Sequence, residues 1–240
     1  MKPYFEKMEN FGKELKKGRI KRAESSVELL KQTEDEIEQL KANVKEAGLP
    51  TEKINQRGAM TVWQRIEYLI DPDSWHGLHS LYNPLSNEEG TTNVVDGLAK
   101  IEGRWAVVIG FDNKVMAGAW LPGQSENILR VTDLSKRLNI PLVWLVNCSG
   151  AKLPEQEKFY ANRRGAGTPF YRHAELEQAG IPILAGIYGT NPAGGGYQGV
   201  SPTILLAHKD ANIAVGGDGG GEEKQKRRSL EHGREELKIV

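Results

Sequence analysis

Two short apolar strands, each running straight into a glycine-bearing loop, constrain this chain more than any other feature. Pro141–Val146 reads as a buried strand that delivers Asn147-Cys148-Ser149-Gly150-Ala151-Lys152. Ile181–Tyr188 reads as a second, delivering Gly189-Thr190-Asn191-Pro192-Ala193-Gly194-Gly195-Gly196-Tyr197. Around them, residues 103–217 alternate in pattern. Trp105–Phe111 is an apolar strand, Asp112-Asn113 a turn, and Lys114–Gly118 a short second strand. Residues 123–138 form an amphipathic helix with Ser125 as N-cap, and Glu175–Gln178 belongs to a helix ended by Gly180. Pro202–Ala207 is expected to be a helix and Ala211–Val215 a final strand. Apolar strands separated by crossover helices require a largely parallel sheet, here as strand-strand-helix units wound in a right-handed spiral.

Upstream, the pattern is helical. Residues 1–52 form a charged arm in which Val27, Leu30, Ile37, Leu40 and Val44 make one apolar stripe, with Gly48 and Pro50 as the stop; Ser25 and Glu28 have capping-box spacing, the alternative being a helix that begins earlier. The arm either packs on a partner or second subunit, or lies on its own domain. Next, Thr61 is the N-cap of a helix carrying Val62, Ile66, Leu69 and Ile70 on one face, ended by Asp71-Pro72 because proline disfavours the α conformation before it. Beyond Gly217, residues 218–240 are densely charged, with only Leu230, Leu237, Ile239 and Val240 apolar, and cannot complete a core.

Composition excludes more than it selects. Lys+Arg and Asp+Glu number 32 each, so no global field favours nucleic acid. The single cysteine, Cys148, precludes an internal disulfide and fits a reducing compartment. No apolar run approaches the ~20 residues of a membrane span, and the first residues lack the apolar stretch of a secretory signal, so a cytoplasmic location is expected. Phosphate-loop, His-Glu-x-x-His and Cys-x-x-Cys patterns are absent, and His76, His79, His173, His208 and His232 make no metal pattern; no metal is expected. Ser149 is outside any Gly-x-Ser-x-Gly, which argues against a hydrolase nucleophile.

The two loops sit where open α/β sheets place their ligands. Glycine lets a backbone N–H approach a ligand without a side chain in the way, and two such groups converging on one oxygen make an oxyanion hole. By glycine content alone, tight strand-to-helix turns with packing glycines explain them better. Cys148, following a buried strand, reads as a packed thiol rather than a nucleophile. Arg163-Arg164 could hold a carboxylate or phosphate in bidentate fashion, or salt-bridge to neighbours. Lys152 reads as solvated.

Several runs carry a resemblance. Arg57-Gly58-Ala59-Met60-Thr61 through Arg65-Ile66, Leu69-Ile70-Asp71-Pro72 and Ser74-Trp75 resemble the N-terminal signature of the biotin-dependent acyl-CoA carboxyltransferases. Val94-Val95-Asp96-Gly97 through Gly103-Arg104 resemble the lead-in to their first sheet, and the two loops match their active-site loops in order and separation. Asn162-Arg163-Arg164-Gly165, Gly167-Thr168-Pro169-Phe170 and Gly186–Tyr197 are similar to the alpha subunits of sodium-translocating glutaconyl-CoA decarboxylases. The resemblance implies a crotonase-like fold over residues 53–217, and a carboxyl transfer from glutaconyl-CoA to biotin carried on a partner subunit. It also implies crotonyl-CoA as product, a membrane-embedded decarboxylase subunit that exports sodium, a homo-oligomer, and peripheral contact with a membrane through partners. The N–H groups of Ala151 and Gly195, with Gly194 as a near equivalent, are then expected at the thioester oxygen, and Gly150, Gly196, Arg163 and Arg164 at the substrate. Ala151 stands where the family carries a larger apolar residue; a backbone donor survives that change. The resemblance ends near Gly217, before the second crotonase-like domain of the family. The expectation is a truncated or frame-shifted product holding the CoA half, with a non-catalytic acyl-CoA-binding module and an enzyme for another acyl-CoA as alternatives. A hydratase would need a glutamate pair beside the glycine loop, which is missing.

Overall fold

The structure is a computed structural model, and it describes residues 17–79, 93–155, 157–160 and 164–214. Arg163 and the charged tail after 217 lie outside the described residues. The chain divides into two units, Met1–Ala42 and Asn43–Val240.

The first unit contains most of α1 (Lys17–Glu46), a helix with Val27, Leu29, Leu30 and Leu40 at least half exposed. Ser25 lies inside this helix, so the Ser25/Glu28 capping box does not form; the chain is already helical at Lys17.

In the second unit the elements are α2 (Thr51–Asn55), α3 (Val62–Leu69), β1 (His76–Leu78), β2 (Val94–Ile101), β3 (Arg104–Phe111), α4 (Gln124–Leu138), β4 (Leu142–Val146), α5 (Glu157–Tyr160), α6 (Thr168–Gln178), β5 (Ile183–Ile187), β6 (Thr190–Pro192), α7 (Gly194–Val200), β7 (Ile204–Ala207) and β8 (Asn212–Ala214). One sheet runs β1-β2-β3-β4-β5-β7, and β6 and β8 form a separate parallel pair. The pairs from β3 through β7 are parallel, whereas β1-β2-β3 are antiparallel.

Alternation on the strands divides the core into two layers. Val107, Ile109, Phe111, Trp144 and Val146 face one side with Ile128, Val131 and Leu176 from α4 and α6. Val108, Leu145, Val95 and Ala99 face the other, against Val62 and Ile66 of α3. The approach of α3 is close: a Cβ on Gly110 would lie 2.4 Å from a Val62 methyl carbon. Thr61 caps α3 as expected, in a full capping box with Gln64.

Asp71, before Pro72, does more than end that helix. Its carboxylate accepts from the N–H groups of Glu102 (2.9 Å) and Gly103 (2.7 Å), the two positive-φ residues of the β2–β3 turn. Ser74 Oγ accepts from Lys100 N at 3.1 Å, and Trp75 covers Gly97 so closely that a Cβ there would meet its ring at 2.6 Å. The runs near residues 71–75 and 94–104 thus clasp one hairpin.

Three expectations are corrected. Lys114–Gly118 is not a strand: Met116, Ala117 and Gly118 all have positive φ, and the antiparallel partner of β3 is β2. Pro202–Ala207 is not a helix; Ile204–Ala207 extends the sheet beside β5, and the helix behind the glycine loop is α7, built from the loop's own glycines. A four-residue apolar run satisfies either periodicity, and here an open sheet edge takes it. Ser125 is not an N-cap. Gly123 occupies that position with φ 85°, and Ser125 is buried in the first turn of α4.

One buried charge has a consequence for stability. Asp96 on β2 is 2% exposed, with one oxygen 3.1 Å from His79 Nδ1 and the other unpartnered among the described residues. Burial pushes its carboxyl up to about 6, against the lowering effect of His79. The folded chain therefore holds a proton that the unfolded chain releases, so this group's contribution declines from pH ~4 to ~6 and stays low above it, by on the order of 2–3 kcal/mol. Asp96→Asn is expected to raise the melting temperature at pH 7.5 and leave it unchanged at pH 4. Equal or lower stability at pH 7.5 would refute a net charge penalty.

Candidate active site at the ends of two parallel strands

β4 and β5 run in register to Val146 and Ile187, so the loops that follow leave the sheet side by side. Tyr188 N donates to Val146 O at 2.8 Å across the last rung. The Asn191 side chain then joins the loops: its Oδ1 accepts from Cys148 N at 2.7 Å, and its Nδ2 donates to Tyr188 O at 2.9 Å. Asn191 is fully buried, so losing the Cys148 bond would leave its Oδ1 unpaired, while its Nδ2 also reaches Gly189 O at 3.2 Å.

The loops touch at two further points, and both need glycine. A Cβ on Gly195 would sit 2.7 Å from Cys148 O, and one on Gly150 would lie 3.3 Å from Pro192 Cγ. Gly150 also has φ 95°. Pro192 closes β6, and Ala193, the N-cap of α7, holds φ 46° and ψ −125°. That conformation is costly for a residue with a Cβ and turns the chain abruptly into α7.

The structure thus places the expected residues as follows. Ala151 bridges Trp120 in parallel fashion: Trp120 N donates to Gly150 O (2.7 Å) and Lys152 N to Trp120 O (3.0 Å). Ala151 N has no acceptor among the described residues. Gly194 N and Gly195 N, in the first turn of α7, are likewise without acceptors there, whereas Gly196 N is taken by Ala193 O at 2.9 Å. Gly196 is close against Asn191 O and Ile213, which places it in packing. Arg164 is exposed and bound to Glu126 through Nε (2.6 Å) and Nη2 (2.8 Å), an arrangement that holds the Glu126 carboxyl below its usual range. A substrate anion would have to compete with that carboxylate.

The Cys148 thiol is fully buried, and burial pushes it up to about 12. It is a packed thiol at neutral pH, not a thiolate. Among the described residues no three His, Cys, Asp or Glu groups could hold a metal ion.

Sequence reasoning gave no role to two residues that organise the loops. Asn191 is one. Arg65 of α3 is the other: 6% exposed, its guanidinium lies 4.1 Å from the centroid of the Tyr188 ring. With the Asn147 amide oxygen turned toward it, both Nη atoms donate at 3.2 Å, and the amide nitrogen donates to Tyr188 O at 3.3 Å. Both residues stand inside the runs that carry the resemblance, which was their only signal. A charged side chain on an otherwise amphipathic helix ordinarily faces water.

Comparison with known proteins decides the family. The carboxyl transferase domain matches residues 53–224. The chain belongs to the carboxyl transferase domain family. It is 52% identical over 219 residues to glutaconyl-CoA decarboxylase subunit alpha of Acidaminococcus fermentans, covering 91% of this chain and 37% of that protein. It is 30% identical over 198 residues to the mitochondrial methylcrotonoyl-CoA carboxylase beta chain of Dictyostelium discoideum, covering 76% and 32%. Among solved structures, the transcarboxylase 12S core superposes with a TM-score of 0.69 at 21% identity, covering 76% of this chain and 36% of that one. That likeness establishes the fold, and the expected crotonase-like architecture stands. The chain spans about a third of the length of these relatives. The family match ends at residue 224, seven residues past Gly217.

The state of Cys148 predicts an observable. Iodoacetamide at pH 8 should label the native chain at least ~100-fold more slowly than the unfolded chain, since only thiolate reacts. Comparable rates would show the thiol to be accessible.

Proposed function

We propose that this carboxyl transferase domain holds the acyl-CoA thioester of glutaconyl-CoA, with the N–H groups of Ala151 and of Gly195 or Gly194 around the thioester oxygen. The observation that carries this reading is the juxtaposition of two strand-end loops, joined at Cys148–Asn191, Cys148–Gly195 and Gly150–Pro192, that carry N–H groups without acceptors among the described residues at Ala151, Gly194 and Gly195.

The chemistry agrees. Loss of the γ-carboxylate leaves an electron pair that spreads through the double bond onto the thioester oxygen, and paired N–H donors stabilise the resulting dienolate, which becomes crotonyl-CoA by taking up at its γ-carbon the one proton that the carboxyl acceptor releases. No side-chain base is required to form that carbanion, so a buried neutral thiol and the lack of a catalytic dyad at the loops are no obstacle. The donor set consists of amide N–H groups, which suits an oxygen that gains charge. Biotin, the carboxyl acceptor in this reading, is carried by a partner subunit, and no residue here is assigned to it. Release of CO2 by a membrane-embedded partner coupled to sodium export, assembly as a homo-oligomer, and a cytoplasmic location complete the proposal. Support comes from 52% identity to the glutaconyl-CoA decarboxylase alpha subunit. Among the described residues no helix is long and apolar enough to cross a membrane. Arg164, once released from Glu126, and Arg163 are the proposed anion contacts, with Gly150 and Gly196 shaping the loops around the substrate.

The test is calorimetric titration with glutaconyl-CoA, run beside an assay for crotonyl-CoA formation with free biotin, on this chain and on the chain extended to the length of its relatives. Binding by both and turnover by the longer one is expected. Binding without turnover by either would make this an acyl-CoA-binding module, and no binding would overturn the proposal. In the extended chain, Gly195→Ala should reduce turnover ~100-fold or more. Its Cβ would meet Cys148 O at 2.7 Å and force the loops apart, with the loss of roughly 3 kcal/mol that follows removal of one oxyanion donor. Near-normal turnover would show that Gly195 is not at the thioester.

A further inference from the structure

The acceptor-free N–H groups of Ala151 and Gly195 can serve one oxygen only if the two loops keep a fixed separation. Asn191 and the loop glycines set that separation on the side facing Cys148. On the opposite face of the sheet, a single side chain reaches the roots of both loops. Arg65 stacks on Tyr188, the residue after β5, and its two Nη groups converge on Asn147, the residue after β4. With its amide oxygen turned toward Arg65, Asn147 donates to Tyr188 O, so guanidinium, amide and tyrosine close a three-membered ring of contacts beneath the loops.

We propose that Arg65 is a positioning residue for the oxyanion site: its planar guanidinium, wedged between Asn147 and Tyr188, holds the ends of β4 and β5 at the separation the paired N–H donors need. The inference rests on the carboxyltransferase reading and deepens it.

Three observations support the assignment. Arg65 is anchored from behind, because α3 is capped by Thr61 and Gln64 and packed through Val62 and Ile66. Its burial is expensive: desolvation brings the guanidinium down to about 10, with Tyr188 and then Asp112 opposing the shift, and its Nε has no partner among the described residues. A cation kept in such a place could be replaced by an apolar residue at no loss if packing were its only task. Finally, the contacts use what is particular to arginine. A flat fork donates twice to one oxygen while its face stacks on a ring, which a lysine ammonium cannot do.

The experiment reads polarisation of the thioester directly. Crotonyl-CoA labelled with carbon-13 at the thioester carbonyl is bound to the chain, and the carbonyl stretch is recorded by difference infrared spectroscopy. A carbonyl held by two N–H donors shifts to lower frequency on binding. Arg65→Lys is expected to lose at least half of that shift, while binding weakens less than about tenfold, because a displacement near 1 Å degrades reacting geometry far more than affinity. Asn147→Ala removes the acceptor from the other side. It should reproduce the loss, and it supplies the reading if Arg65→Lys does not fold. Asp71→Ala is the control: it removes the carboxylate that holds the β2–β3 turn, so it should lower the melting temperature and leave the carbonyl band in place. A full wild-type shift in both Arg65→Lys and Asn147→Ala would overturn the role of Arg65 and spare the oxyanion site. No shift in the wild-type chain, or no binding, would overturn the oxyanion reading and this inference with it.

Discussion

Val146 and Ile187 are paired across adjacent parallel strands, and both glycine loops leave the sheet just beyond that pair. Everything at the site depends on this register. Parallel strands in register end together, so their following loops emerge at one edge. The Asn191 side chain then needs to span only from Tyr188 O to Cys148 N. A shift of one residue in either strand would exchange the faces of Cys148 and Asn147, placing a polar amide in the apolar layer with Trp144 and Val146.

The two layers of the core have different tasks. The layer beneath α4 and α6 is a broad apolar cluster centred on Trp144, Phe111 and Ile109. It packs α4 and α6 onto the sheet. The layer beneath α3 is smaller and contains Arg65 and Asp112, both shifted by burial toward their neutral forms. These two charges thus lie under the loop roots, where hydrogen bonds and ring contacts must satisfy them. Among the described residues, seven non-glycine residues take positive φ, and three of them, Met116, Ala117 and Ala193, lie next to the loops.

Several runs that carry the family resemblance turn out to be architectural. Asp71 and Ser74 bind the backbone of the β2–β3 hairpin, and Gly97 makes room for Trp75. Such residues are legible as a pattern because their spacing is rigid, but their purpose cannot be read until the hairpin is seen 30 residues away. The same holds for Arg65: its position on α3 was plain, its partner was not.

By itself the sequence determined the apolar strands β3, β4 and β5, the capped helix α3, the mostly parallel α/β architecture and the two loops, since each rests on local periodicity, caps or glycine. Tertiary structure alone decided the rest. It made Ile204–Ala207 a strand, because an unfilled sheet edge beside β5 outweighs the ambiguous preference of four apolar residues. It turned Lys114–Gly118 into a left-handed turn, because a Cβ at Gly118 would meet Asn147 O at 2.1 Å, so this backbone must pass hard against the end of β4. And it brought Arg65, Asn147, Tyr188 and Asn191 together, because contacts between residues up to 123 positions apart arise from strand register, which no local pattern encodes.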